Sequence, residues 1–233
     1  MAGTILAMGG GGFSMEPRNP LLDLFVLSLA RGSRPRVCFL GTASGDSPIY
    51  AARFLRAFGR LRCRPSVLSL LSPPRRSLAS ILGDQDVVYV GGGNTRAMLV
   101  LWREWGLDRI LRKAWRDGTV MAGLSAGSIC WFEEGLSDSV QSGRLLPLPC
   151  LGILPGSNCP HYDGEPERRP AYRRLVGSGA MKPGWAADDG TGLLFVGRKF
   201  VRAVSSAPAA RAWRLERRRG RAVETEIVPG FLG

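Results

Sequence analysis

The chain has 233 residues, 45% hydrophobic and 22% charged, enough length and apolar material to bury a large core without metals or disulfides, which excludes a disordered chain. Thirty-two basic residues against nineteen acidic ones give a formal net charge of +13, so an anionic partner is the first class to weigh. The arginines are scattered from Arg18 onward, with one dense group at Arg211, Arg214, Arg217, Arg218, Arg219 and Arg221; this describes a solvated surface, and no nucleic-acid partner is expected.

No Ser/Pro-rich linker divides the chain, and the expectation is one domain over residues 1–233. Cys38, Cys63, Cys130, Cys150 and Cys159 form no C-x-x-C pair and sit in or beside apolar segments, so they read as reduced, buried thiols. The N-terminal segment lacks a basic region followed by a continuous apolar run, and no uncharged stretch approaches the ~20 residues of a membrane span. A soluble, cytoplasmic protein without membrane contact is expected.

In chain order, short apolar runs at 4–8, 37–40, 67–70, 87–90 and 119–124 alternate with segments of helical spacing at 19–31, 47–59, 74–83 and 94–116. Ser47-Pro48 offers an N-cap and an N1 proline, and Gly106 is a break point in the long fourth helix. Continuous apolar strands alternating with helices predict a three-layer α/β/α fold around a mostly parallel sheet, with ligands at the carboxyl ends of the strands. Residues 155–182 read as a loop with one short helix. Beyond residue 180 the pattern changes to short strands without helices, about 192–197, 200–204, 211–217 and 221–228, predicting an antiparallel C-terminal extension whose last two strands form a hairpin with a basic face.

Gly123-Leu124-Ser125-Ala126-Gly127 ends the fifth apolar run and precedes the helix-like Ser128-Ile129-Cys130-Trp131-Phe132. It is a G-x-S-x-G turn in the strand-to-helix context that lifts a serine hydroxyl clear of a sheet. The helix N-terminus behind it, including the Ala126 N–H, aims positive charge at a developing oxyanion. A serine nucleophile needs a base, and His161 is the one histidine of the chain. Its carboxylate partner is open at this level among Asp138, Asp163, Asp188 and Asp189. Val90-Gly91-Gly92-Gly93-Asn94-Thr95 follows a strand and opens a helix, so its amides suit an anion or a carbonyl oxygen. It has no Gly-Lys-Ser/Thr, and neither it nor Gly9-Gly10-Gly11-Gly12 completes G-x-G-x-x-G, which leaves nucleotide binding a minor reading. One histidine with scattered cysteines does not make a usual zinc site, and no metal or cofactor is expected.

These blocks, together with Gly41-Thr42-Ala43-Ser44-Gly45-Asp46 and Ser137-Asp138-Ser139, resemble the peptidase E family of serine peptidases, relatives of cyanophycinase with the class I glutamine amidotransferase-like fold. The likeness spans nearly the whole chain. It implies Ser125 as nucleophile, His161 as general base, and the amides of Gly93 and Ala126 as the oxyanion hole. The family's third member is an acidic residue, usually Glu followed by Gly; here Asp189 matches, with Asp188 as the fallback. Because Asp is one methylene shorter, its loop must sit closer to His161. Gly92, Asn94 and Asp138 are expected to line the substrate site. Known members release an N-terminal aspartate from small peptides, so a small peptide is the expected partner, and Arg168, Arg169, Arg173 and Arg174 are candidates for a substrate carboxylate. The expected assembly is a monomer or homodimer. The alternatives are a cyanophycinase-like hydrolase or an esterase of the same fold, or a non-catalytic module binding through the basic hairpin.

Overall fold

The computed structural model describes residues 3–72 and 74–233; Met1, Ala2 and Pro73 lie outside it. The five predicted parallel strands form as β1 Thr4–Met8, β2 Arg36–Leu40, β3 Arg64–Leu68, β4 Val87–Val90 and β5 Val120–Leu124. The helices between them are α1 Gly12–Met15, α2 Leu21–Ser28, α3 Pro48–Phe58, α4 Leu78–Gly83, α5 Thr95–Glu104 and α6 Leu107–Asp117. Gly106, at φ 64°, separates the last two; the left-handed conformation that glycine accepts breaks the predicted single helix there.

After β5 come the single turn α7 Ala126–Ile129 and the strands β6 Phe132–Gln141, β7 Arg144–Pro149 and β8 Leu154–Cys159. Then follow α8 Arg168–Ser178, β9 Gly184–Ala187, β10 Thr191–Val196, β11 Lys199–Ser205, β12 Ala212–Arg218, β13 Arg221–Ile227 and β14 Gly230–Phe231. Two sheets result. The first has the order β14-β11-β10-β1-β5-β4-β2-β3, parallel from β1 to β3, with β10 and β11 antiparallel beside β1. The second has the order β13-β12-β9-β8-β6-β7.

The predicted antiparallel extension is therefore divided: β10 and β11 widen the first sheet, whereas the hairpin β12–β13 belongs to the second. Its turn is Arg219-Gly220 at φ 49° and 77°, the two positive values that a tight hairpin of right-twisted strands requires. The helical reading of Ser128 to Phe132 is corrected too. Phe132 leaves the helix and opens β6, pairing with Leu154 of β8, because a single turn suffices to carry the chain off the first sheet.

Both faces of the first sheet are covered. Ile5, Cys38, Val88 and Met121 pack with Met98 and Trp102 of α5 and Leu107 and Leu111 of α6. Leu6, Phe39, Tyr89 and Ala122 pack on the other side with Val26 of α2 and Phe54 and Phe58 of α3. Alternate residues of each strand thus face opposite helical layers, as a fully buried parallel sheet requires. The second sheet packs α8 against its own face through Leu136, Tyr172, Val176 and Leu215.

Asp23 of α2 is 2% exposed beneath the β1–α1 turn, where Tyr89 Oη donates to its Oδ1 at 3.1 Å. Burial pushes its carboxyl pKa up from 3.8 to about 7, against the bonds from Tyr89 and the Phe13 backbone. The native state then keeps a proton that the unfolded chain releases, so this group's contribution to stability is fully present below about pH 4 and is lost as pH rises through about 7. Asp23→Asn keeps the acceptor and is expected to flatten that decline, which melting curves at a series of pH values measure.

Candidate active site

Buried β5 runs directly into α7, and Ser125 makes the turn at φ 54°, ψ −116°. That conformation is disfavoured for any residue with a Cβ. It is held by the Ser125 N–H donating to Met8 O at 3.3 Å and by Ser128 and Ile129 N–H donating to Ser125 O at 2.9 and 3.0 Å. The flanking glycines are needed for space. A Cβ on Gly123 would stand 2.5 Å from Gly127 O, and one on Gly127 would stand 2.3 Å from Val90 O. Gly127→Ala is expected to cost about 2–3 kcal/mol through this backbone overlap, read as a lower urea midpoint at unchanged slope.

The turn after β4 lies next to the serine. A Cβ on Gly92 would come within 3.2 Å of Ser125 Cβ, and one on Gly93, at φ 133°, would lie 2.2 Å from Ala43 O. The loop after β2 therefore braces the Gly93 peptide from behind, with Asn94 N–H donating to Ala43 O at 2.7 Å. Among the described residues, no protein group accepts from the N–H of Gly93 or of Ala126. Asn94 lines the site, but its side chain caps α5 by accepting from Ala97 N–H at 2.8 Å.

The second sheet supplies His161 and its partner. β8 and β9 are parallel neighbours, so the residues that follow them emerge side by side. His161, at φ 52°, donates its backbone N–H to Gly9 O at 3.2 Å, which ties it to the end of β1. Its Nδ1 lies 2.6 Å from Asp189 Oδ1, with the His161 side chain 11% and the Asp189 side chain 32% exposed. The four candidate carboxylates thereby separate. Asp163 Oδ1 accepts from the Asp189 backbone N–H at 2.8 Å and so fixes the position of Asp189. Asp188 turns away, accepting from Arg211 N–H at 2.9 Å and Trp213 Nε1 at 3.4 Å, and burial pushes its pKa up to about 6. Asp138 is an exposed residue of β6.

The Gly9–Gly12 run has its explanation here. A Cβ on Gly9 would stand 2.3 Å from Asp188 O, and a Cβ on Gly10 would stand 2.0 Å from Asp189 Oδ1; on the other side, one on Gly164 would stand 2.3 Å from Asp189 Oδ2. Bare backbone on both sides lets the short aspartate approach the imidazole.

Ser125 and His161 open into one cavity of about 530 Å³, whose wall includes Ser14, Tyr50, Arg53 and Gly92. A second, of about 460 Å³, reaches Ser125 from the side of Gly93, Asn94, Asp138, Glu165 and Arg168. Of the four arginines singled out from the sequence, Arg168 is 5% exposed and bonds Glu165 Oε2 at 2.6 Å and Leu136 O at 3.2 Å. Arg169 and Arg173 pair with Glu224 at 3.0 and 3.5 Å, and Arg174 is exposed on α8. Ser14, Tyr50 and Arg53 were not anticipated; their signal is that they follow β1 and β2, whose carboxyl ends face the site. Among the described residues no cluster of His, Cys, Asp or Glu could hold a metal ion, and no helix is long and apolar enough to cross a membrane.

Residues 5–203 match peptidase family S51. The chain is 53% identical over 229 residues to the uncharacterized peptidase YgaJ of Bacillus subtilis (strain 168), covering 98% of this chain and 99% of that protein. Among solved structures, a peptidase from an acI-B1 Actinobacterium superposes with a TM-score of 0.77 at 19% identity, over 99% of this chain and 96% of the other. A putative peptidase E protein from Listeria monocytogenes EGD-e gives 0.66 at 17%, over 86% and 98%. These two show a shared fold. With the family match covering most of its length and a relative more than half identical end to end, the chain belongs to peptidase family S51.

Proposed function

We propose that this peptidase is a serine-type exopeptidase acting on small peptides through Ser125, His161 and Asp189. The observation that carries the reading is the 2.6 Å contact between His161 Nδ1 and Asp189 Oδ1, with the imidazole opening into the cavity that holds the strained Ser125 turn. A carboxylate on Nδ1 keeps the proton there, so Nε2 is the basic nitrogen available to a serine hydroxyl.

In this mechanism Ser125 Oγ attacks the scissile carbonyl carbon while its proton passes to His161 Nε2. The oxyanion is held by the N–H groups of Gly93 and Ala126, which have no acceptor of their own among the described residues. Collapse breaks the C–N bond, and the imidazolium gives its proton to the departing amine, leaving an ester on Ser125. Water, deprotonated by His161, then cleaves the ester and restores the hydroxyl. A preference for N-terminal aspartate rests on the resemblance to peptidase E. Arg168 borders the cavity on the Gly93 side, but its guanidinium is already bonded to Glu165 and Leu136 O, so it lends that preference little support.

The basic hairpin gives the binding-module alternative little support. Arg211 pairs with Glu226, Arg218 with Glu216, Arg214 lies over Trp185, and Arg217 bonds Gly177 O. A panel of dipeptides, aminoacyl p-nitroanilides and esters tests the proposal: Asp-Xaa hydrolysis with acyl-enzyme formation is expected. Cleavage of esters alone, or silence on every peptide by folded protein, overturns it.

A further inference from the structure

Resting on the serine mechanism above, the two cavities acquire a direction. His161 delivers its proton to the leaving amine, so the departing residue lies on the His161 side of Ser125 and the acyl residue on the other. The departing residue then occupies the cavity walled by Ser14, Tyr50 and Arg53. That wall contains no carboxylate, and Arg53 is its permanent charge. The acyl side differs: Asp138 and Glu165 border it, and its one cation, Arg168, is already bonded to Glu165.

Arg53 is held in place. Tyr50, Phe54 and Phe58 recur at helical spacing on the inner face of α3, with ring centroids of Phe54 and Phe58 at 4.4 Å and of Phe13 and Tyr50 at 5.5 Å. The face so pinned leaves Arg53 on the cavity side, where its Nη2 donates to Ser14 O at 2.7 Å and Tyr50 Oη bonds Ser14 Oγ at 2.9 Å. Among the described residues no carboxylate lies within ion-pair distance of this guanidinium. An arginine fixed through one N–H at the wall of a site, with donors to spare and no anion of its own, suits a ligand carboxylate.

We propose that Arg53 is a specificity-determining residue that binds the free α-carboxylate of the departing residue. The preferred substrate is then an unblocked dipeptide, its amine toward Asp138 and its carboxylate toward Arg53. A longer peptide or a C-terminal amide places an uncharged group at this position and loses the contact.

The test compares aspartyl-leucine with aspartyl-leucinamide. Wild type is expected to favour the free acid about 10- to 100-fold in kcat/KM, mostly through KM. Arg53→Met should bring the ratio to near unity, and Arg53→Lys should restore part of it. Because Arg53 is exposed, these variants should fold, and melting curves check that. Calorimetric binding of both peptides to Ser125→Ala, with and without Arg53→Met, reads the same preference without turnover. A wild-type ratio near one, a ratio kept by Arg53→Met, or no binding of either peptide overturns the proposal. Hydrolysis surviving in Ser125→Ala would instead overturn the serine mechanism, leaving the Arg53-dependent ratio to be judged by itself.

Discussion

Ser125→Ala is expected to lower kcat/KM for a dipeptide substrate by ~10⁴-fold or more, because the step that forms the acyl-enzyme disappears and only binding and the oxyanion site remain. Its stability should stay near that of wild type, since alanine inherits the same backbone at φ 54°, ψ −116°. Ser125→Gly separates the two effects. Glycine reaches that region without steric overlap, so this equally inactive variant should gain on the order of 1 kcal/mol after its own entropic cost, raising Tm by about 2–4 °C. Retention of more than a few per cent of activity by the alanine variant removes Ser125 as nucleophile. A glycine variant that melts no higher than wild type removes strain from the account of the turn.

The second large effect belongs to Asp189. Asp189→Asn should reduce kcat by ~10²–10⁴-fold, because an amide facing Nδ1 no longer selects the tautomer with a basic Nε2 and no longer balances the imidazolium. Asp188→Asn is the informative neighbour. Its carboxylate accepts from Arg211 N–H and Trp213 Nε1 and makes no bond to the imidazole, so the change should lower stability while kcat stays within a fewfold. Asp163→Ala should fall between them, since Asp163 acts through the backbone N–H of Asp189. It is a positioning residue, and Asp163→Asn, which keeps an acceptor, should rescue much of the loss. If kcat collapses in Asp188→Asn and survives in Asp189→Asn, the roles are exchanged.

Much of this is legible in the amino-acid sequence. The apolar runs of β1, β2, β4 and β5 carry the signature of strands buried on both faces, and Gly106 marks the break between α5 and α6. The G-x-S-x-G turn announces its own geometry, since the sequence around Ser125 leaves no room for side chains where Gly127 O and Val90 O approach. Such features are local: periodicity, caps and turn chemistry are written within a dozen residues.

The second sheet was less legible. β6 carries Glu133, Glu134, Ser137, Asp138 and Ser139 among few apolar residues, so its alternation is weak, and its pairing with β8 involves a bulge between Phe132 and Glu134. Sequence spacing leaves the choice of carboxylate open, for Asp163 stands two residues from His161 yet bonds the Asp189 backbone. Arg53 reads as one more exposed arginine on an amphipathic helix. The layered α/β class, the serine turn and the lone histidine are all readable from local sequence. The folded chain is what brings Asp189, rather than Asp163 or Asp188, onto the imidazole, and what sets Arg53 and Arg168 on two different cavities that both reach Ser125. The meeting of His161 with Asp189 depends on the adjacency of β8 to β9 and of β1 to β10, contacts between distant segments that no local pattern encodes.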